Sequence, residues 1–392
     1  MKNNLLIIPS VPIWKQGGEL YFDRKFHDGI VLYCNNWQGS VSLLMRVSES
    51  APPDFGLIQL DKTVFPATVL VIKQEEKITR HHLKQASVVL ASGDNHKNLN
   101  VSKICQQLDI KCVYIIENIL ETRFQIINMS GVGVWQKIKS SVWTVLIELK
   151  RRRAFSAASG IQANGVPAYS VYKKITSHAV LYFDSRNSTE MSISETDLVK
   201  RLDYLDRDKP IRLGFSGRLI AMKGADHLID LALILRKKSI PFSLSIFGAG
   251  DLSEELEKKV KEFKLEECVW LRGNVDFSKE LVPFIKEYLD LFICCHRQSD
   301  PSCTYLETYA CGVPILGYAN KAHQGILGIA NVGWSVPMND INALASKVEI
   351  LSKHRKELKV KAKRAVLFAT EHTFDQTFKR RIEQCRVIEP YK

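Results

Sequence analysis

Residues 211–235 read IRLGFSGRLIAMKGADHLIDLALIL. The apolar run Ile211–Phe215 ends in Ser216 and Gly217, Arg218 follows, and Lys223 and Gly224 open an amphipathic stretch. A strand that stops at a small-residue turn and leads into a helix is the building unit of a parallel α/β sheet. The same turn sets two cations beside the free N–H groups of a helix start, a place that favours anions. Arg218 and Lys223 are therefore candidates for holding phosphate, although a basic residue after a strand is often merely solvated.

Outward from this unit the rhythm repeats. Ser243–Phe247, Val269–Arg272, Leu291–Cys295 and Pro314–Tyr318 read as strands, with helices over Lys223–Arg236, Leu252–Phe263 and Thr304–Cys311. Toward the N-terminus the strand candidates are Leu5–Ile8, Ile30–Tyr33, Thr68–Ile72, Ser87–Leu90 and Cys112–Ile116, with a helix-like stretch over Asn95–Leu108. The polar stretch from Asp184 to Pro210 interrupts the alternation and separates two α/β blocks. The expected organisation is a first domain over 1–190, a linker over 191–209, a second domain over 210–370 and a C-terminal helix over 371–392.

The chain of 392 residues is long enough to bury full cores without disulfide or metal staples. Its nine cysteines are odd in number and form no CxxC pair or zinc-spaced cluster, which fits a reduced, cytoplasmic compartment. The apolar run at Leu5–Ile8 is too short for a signal peptide or a membrane span, and no other segment reaches spanning length. A net charge of +13 could attract nucleic acid, anionic lipid or phosphorylated ligands. With no RNA-binding signature and no zinc finger, nucleic acid is excluded as the expected partner. Residues 134–153, VWQKIKSSVWTVLIELKRRR, read as one helix with an apolar stripe and a basic end. It is either a core-facing helix with solvated cations or a helix lying on an anionic membrane surface.

Two further segments carry chemistry. CCHRQSDPSCTYLETYACGVPILGY, from Cys294, runs from a buried strand through a polar loop into a helix, and Gly312 stops that helix. Asp300 and Ser302 stand at the helix entrance and Glu307 about one turn in, where open α/β sheets bind ligands. The bland alternative is that the loop only caps the helix and Glu307 is exposed. IFGAGD, from Ile246, sets Gly248 in a Gly-x-Gly turn that lacks the third glycine of a dinucleotide fingerprint.

Taken together, GRLIAMKGADHLI, IFGAGDL, LRGNV and YLETYACGVPI make residues 210 to 350 resemble the retaining glycosyltransferases of family 4, the group-1 glycosyltransferases of GT-B fold. The first half is similar mainly in its strand–helix rhythm and in Gly17 and Gly18 after the first strand. The resemblance implies two Rossmann-like domains facing across a cleft, with the C-terminal helix crossing back to the first. It implies that Arg218 and Lys223 hold the donor diphosphate and that Glu307, the second glutamate of an E-x7-E motif, takes the ribose hydroxyls. Ser302, Cys303 and Thr304 match the segment whose amides hold sugar and phosphates; Gly217 and Gly248 fall in donor-side turns. Gly17 and Gly18 match the first-domain loop that approaches the donor.

The chain departs from the family at two places. Ser299 stands where the first glutamate of the motif belongs, and the neighbouring carboxylate, Asp300, gives D-x6-E instead. The family's first-domain histidine has no clear counterpart; Glu117, at a strand end, and His96, in SGDNHKNL, are the candidates for that place. The implied reaction transfers a sugar from a nucleotide-diphosphate sugar, a co-substrate, with retention. The acceptor is a glycan or a lipid-linked saccharide of envelope polysaccharide synthesis, met in the cytoplasm or at the inner membrane face. No cofactor and no metal are expected, since protein cations face the diphosphate. Asp206-Arg207-Asp208 spells a DxD but precedes a strand rather than following one. Competing readings are a nucleotide-sugar 2-epimerase of the same architecture and an inactive nucleotide-sugar-binding scaffold.

Overall fold

The structure, a computed structural model, describes residues 3–52, 56–205 and 209–388. The Asp206-Arg207-Asp208 triplet therefore lies outside the described residues. The chain divides into two compact units: residues 1–123, 132–182 and 375–392 form one, and residues 124–131 and 183–374 the other.

The first unit is built on a seven-stranded parallel sheet. Its order is Ala179–Tyr182, Gly160–Asn164, Lys111–Ile116, Val88–Ser92, Asn4–Ile8, Ser40–Arg46, Thr68–Ile72. The central strands are apolar on both faces, with all five residues of Asn4–Ile8 and of Val88–Ser92 buried, as a helix-covered parallel sheet requires. Trp14–Gln16, Glu19–Asp23 and Leu57–Gln59 form a separate antiparallel sheet. The run at Ile30–Tyr33, expected as a strand, lies inside the helix Arg24–Asn36. Four apolar residues in a row carry no period of their own. The Asp23 carboxylate decides the matter by accepting from the Phe26 N–H at 2.9 Å, which starts the helix ahead of them.

The C-terminal helix Phe374–Val387 belongs to the first unit, as the sequence suggested. It packs on the strand Gly160–Asn164. Gln162 donates to the Arg381 carbonyl at 2.9 Å and accepts from Arg381 Nε at 2.8 Å, and Gln384 Nε2 donates to the His178 carbonyl at 2.8 Å. A Cβ on Gly160 would stand 2.4 Å from the Ile388 side chain, so the absence of a side chain lets the chain end approach the sheet.

The second unit holds a six-stranded parallel sheet in the order Val269–Gly273, Phe242–Phe247, Ile211–Ser216, Leu291–Cys294, Ile315–Tyr318, Gly333–Val336. Counted along the unit this is 3-2-1-4-5-6, the doubly wound order, and both parallel sheets expected from the sequence are present. The residues expected as a linker are largely structured. Ser194 caps the helix Glu195–Tyr204 by accepting from the Asp197 N–H at 3.1 Å. Arg201 on that helix is buried and donates to the carbonyls of Ile285, Cys311 and Leu289. Carbonyls carry no formal charge to offset burial, and burial pushes the guanidinium down to about 10. A polar composition concealed this segment because one of its buried anchors, beside Leu202 and Leu205, is itself a cation.

Candidate functional site

In a doubly wound sheet the strand order reverses at one point, and loops from the carboxyl ends of the two strands there diverge and leave a crevice. In the second unit that point lies between Ile211–Ser216 and Leu291–Cys294, which pair at Gly214 and Phe292. Ser216-Gly217-Arg218 leaves the first strand and the loop from Cys295 to Ser302 leaves the second.

Glycines close up the first turn. The Gly217 N–H donates to the Phe247 carbonyl at 3.1 Å, and Gly248 has φ of +119°. A Cβ on Gly248 would lie 2.0 Å from the Gly217 carbonyl oxygen. The two candidate glycines thus pack against each other. Gly224, at φ +69°, ends the turn Ala221–Lys223; a Cβ there would lie 2.1 Å from the Cys295 carbonyl. That close approach brings Lys223 beside the second strand end.

Lys223 is buried, with Nζ 3.4 Å from Asp300 Oδ2. Asp300 Oδ1 is buried and has no hydrogen-bond partner among the described residues. Arg218 is exposed and engages no acidic side chain among the described residues. The two cations proposed from sequence are therefore only lightly neutralised by the protein itself. The polar loop is held rigidly. Arg297 grips Asp226 with two bonds of 2.8 and 2.7 Å, and its N–H donates to the Met222 carbonyl at 3.0 Å. Ser299 is buried, its N–H donating to Gln125 Oε1 at 3.0 Å and its hydroxyl accepting from the Lys321 N–H at 3.3 Å. The position of the motif's first glutamate is thus occupied by a small residue that ties the loop to the start of the helix Lys321–Ala330. Ser302, Cys303 and Thr304 are half-buried at the start of the helix Thr304–Ala310, where no side chain caps the first turn.

Glu307 is buried rather than exposed, and its carboxylate is engaged. Arg186 Nε donates to Oε1 at 2.9 Å, Arg186 Nη2 to Oε2 at 3.3 Å, and the Arg186 N–H to Oε1 at 3.3 Å. The guanidinium also lies 3.7 Å from the centre of the Phe277 ring. Burial opposes the charge of Arg186, but the Glu307 carboxylate outweighs it and holds the guanidinium above its ordinary pKa. Sequence reading missed Arg186. It stands 121 residues from Glu307, in the polar stretch read as a boundary, and no local pattern joins the two.

A second group was also missed. His296 and His323 are fully buried behind the loop, with both ring nitrogens of His296 lacking partners among the described residues. Burial pushes His323 down to about 4; burial, then the charge of Lys223, holds His296 well below the ordinary histidine range. Both are neutral at pH 7. Tyr305 stacks on His323 at 5.5 Å, and Asn320 donates to the His296 carbonyl at 3.0 Å.

The first unit has its own reversal point, between Asn4–Ile8 and Val88–Ser92. Its charges are organised inward. Asp94 accepts from the Glu117 N–H at 2.7 Å, the Asn118 N–H at 3.2 Å and Arg123 Nη2 at 3.1 Å, and pairs with Arg151 at 3.2 Å. Glu117 is exposed at the end of the strand Lys111–Ile116, its backbone fixed by Asp94. His96 opens a short turn and meets the Trp143 ring edge-on at 5.3 Å; burial, then the charge of Lys97, lowers its pKa. Gly17 and Gly18, at φ +58° and +90°, form the tip of the hairpin between Trp14–Gln16 and Glu19–Asp23. Positive φ at both turn residues is what a two-residue hairpin requires, which accounts for the glycine pair without a ligand. Among the described residues no group of three or more His, Cys, Asp or Glu could hold a metal ion.

Comparison with known proteins bears on the second unit most directly. The sequence profile of the family Glycosyl transferases group 1 matches residues 200–366. WcaL of Escherichia coli K12, named as a candidate colanic acid biosynthesis glycosyltransferase, is 26% identical over 180 residues, 43% of this chain and 42% of that protein. A GDP-mannose-dependent α-(1-6)-phosphatidylinositol monomannoside mannosyltransferase of Mycolicibacterium smegmatis is 29% identical over 150 residues, 36% of this chain and 38% of that protein. The matched stretch thus spans about two fifths of the length of these relatives. HepE of Anabaena, solved with UDP, superposes with a TM-score of 0.65 at 16% identity, over 97% of this chain and 98% of that one. The same protein has been solved with UDP-glucose. The chain accordingly has the two-domain α/β fold of GT-B glycosyltransferase structures, and its residues 200–366 match the glycosyl transferases group 1 family.

Proposed function

We propose that the chain transfers a sugar from a nucleotide-diphosphate sugar to a glycan or lipid-linked acceptor, with retention of anomeric configuration. The observation that carries this reading is the pairing of lightly neutralised Arg218 and Lys223 at the reversal point of the second sheet, inside the family-matched segment. Departure of the diphosphate builds negative charge on its oxygens and positive charge on the sugar ring. Cations already in place stabilise that charge without reorganising, at about 2.7–4 kcal/mol for one donor. Gly217 and Gly248 keep the turn free of side chains, so phosphate oxygens can reach backbone N–H groups. Glu307 takes the ribose hydroxyls, oriented from behind by Arg186. Asp300 keeps Lys223 at the strand end until the diphosphate replaces it as partner. The first unit receives the acceptor, with Glu117 and His96 at its sheet edge as the residues to test for contact with the sugar.

HepE binds UDP and UDP-glucose, and the mycobacterial relative uses GDP-mannose; these define the first donors to try. Colanic acid and phosphatidylinositol mannoside synthesis are the relatives' settings and support a cell-envelope acceptor at the cytoplasmic membrane face. The test is a thermal-shift panel of nucleotide sugars followed by product analysis with the stabilising donor. A ligand at 100 times its Kd should add about 2.7 kcal/mol to the native state. Donor-dependent transfer supports the proposal. A free epimerised sugar nucleotide makes the chain an epimerase instead, stabilisation without turnover makes it a binding scaffold, and absence of stabilisation by every donor overturns the nucleotide-sugar reading.

A further inference from the structure

The helix Val134–Ser156 of the first unit turns one side into the domain, where Ile147, Arg151, Ala154 and Phe155 are buried. Its other side is not polar. Trp135 is 85% exposed, and Ile138, Val142, Leu146 and Leu149 are each about half exposed or more (49–57%). These positions recur at spacings of three and four, so they form one stripe along the helix. Scattered exposed apolar side chains are ordinary, whereas a continuous stripe with an exposed tryptophan marks a surface that something covers. Among the described residues no helix is long and apolar enough to cross a membrane, so this is not a span.

The charge on the helix selects the occupant. Lys139, Lys150 and Arg153 are exposed and accompany the stripe. The only carboxylate on the helix, Glu148, is buried and bonded to Arg152 at 3.0 Å and to the Tyr172 hydroxyl at 3.0 Å. An apolar stripe flanked only by cations does not match a second copy of itself, which would set like charges together. It matches anionic headgroups over acyl chains. We propose that this face docks the protein on an anionic bilayer, with Trp135, Ile138, Val142, Leu146 and Leu149 entering the interfacial region and Lys139 and Lys150 meeting headgroup phosphates. The basic run at the helix end contributes less than its sequence suggests. Arg151 is fully buried against Asp94, and Arg152, though exposed, is tied to Glu148, which leaves Arg153 as the exposed member of the three without a carboxylate partner on the helix. The dock stands apart from the sugar-transfer reading, because binding is measured without any donor.

The experiment is co-sedimentation of the full chain with phosphatidylcholine vesicles, with and without phosphatidylglycerol, at two salt concentrations. Tryptophan emission is recorded in parallel. Binding is expected with the anionic vesicles, weakening as salt rises, with a blue shift of the emission as Trp135 leaves water. Trp135→Ser with Ile138→Ser should abolish the binding with little change in melting temperature, since both side chains are exposed. Lys139→Ser and Lys150→Ser should each weaken it about fivefold. Wild-type protein that ignores anionic vesicles, or a double variant that binds as well as wild type, overturns the dock. Concentration-dependent dimerisation that the double variant loses assigns the face to a second copy and overturns it as well.

Discussion

The two sheets share a doubly wound plan and reverse at equivalent points, yet they use their charges in opposite ways. In the first unit the strand-end carboxylate of Asp94 meets Arg123, Arg151 and two backbone N–H groups, so its charge is committed within the fold. In the second, Arg218 has no acidic partner among the described residues and Lys223 has one at 3.4 Å, while Asp300 keeps an oxygen without a partner. Topology supplies an opening in both sheets, but only an uncommitted charge there can act on a ligand. The first unit's reversal point commits its charge to the fold, and the second's leaves charge available for the proposed diphosphate site.

The contrast is broken most severely at Arg151. Its guanidinium is fully buried between Asp94 and Glu148, so Arg151→Ala leaves buried carboxylates short of a partner. Breaking such a network costs about 3–5 kcal/mol, and chemical denaturation should show it in the first unit. A change under 1 kcal/mol would mean the network is not what holds that sheet edge. The matching substitutions in the second unit should reverse the pattern. Arg218→Ala should leave melting unchanged and lower transfer at saturating donor by about 10²–10³-fold, the effect of one lost charge-stabilising group. Lys223→Ala should lower transfer as far, with a modest loss of stability because Asp300 is left behind. Near wild-type turnover in both variants would remove the diphosphate assignment.

Acid sharpens the comparison further. His323 is neutral when folded, with a pKa of about 4, and regains an ordinary value near 6.5 on unfolding. Between those values the unfolded state binds a proton that the folded state refuses. Stability is therefore full above about pH 6.5 and falls as pH drops toward 4, by about 1.4 kcal/mol per unit for this residue. His296, lowered in the same direction, adds to the slope. The second unit should lose stability on acidification, and His323→Leu should flatten its acid limb. An acid limb unchanged in that variant would place the sensitivity elsewhere.

What was legible in the sequence follows the same division. In the second unit several element ends are marked by their own turns: Gly217 after Ser216, Gly248 after Phe247, Gly312 after the helix that carries Glu307. Those glycines answer local demands, a positive φ or a close backbone approach, and local demands are written locally. Arg218 and Lys223 were singled out because they sit beside such turns, and Asp300 and Glu307 because they stand at the entrance of the helix that follows a buried strand. In the first unit the strands Ser40–Arg46 and Gly160–Asn164 went unread, since their burial is set by neighbours distant in the chain. Gly17 and Gly18 were read as a loop approaching the donor, but a hairpin and a ligand loop ask for the same residues. Arg186 and the buried histidines were invisible for a related reason: a partner 121 residues away leaves no spacing to notice.

Arg186 gives the finest test, with the smallest expected effect. If Glu307 takes the ribose hydroxyls, its carboxylate must present lone pairs outward while Arg186 holds it from behind. Glu307→Gln should then weaken UDP binding most, because an amide presents one acceptor where a carboxylate presents two. Arg186→Lys keeps a cation but loses the two-point grip and the flat stack on Phe277. Its loss in UDP affinity should be about tenfold, equivalent to about 1.4 kcal/mol. The decisive reading is a ratio. Discrimination between UDP and its 2′-deoxy counterpart should shrink in Arg186→Lys and vanish in Glu307→Gln, and the double variant should be no worse than Glu307→Gln alone. A purely structural Arg186 would weaken both ligands equally and leave the ratio untouched. Tighter binding of UDP in Arg186→Lys would instead show that the arginine competes with the ribose for Glu307, so that the donor must displace it on entry.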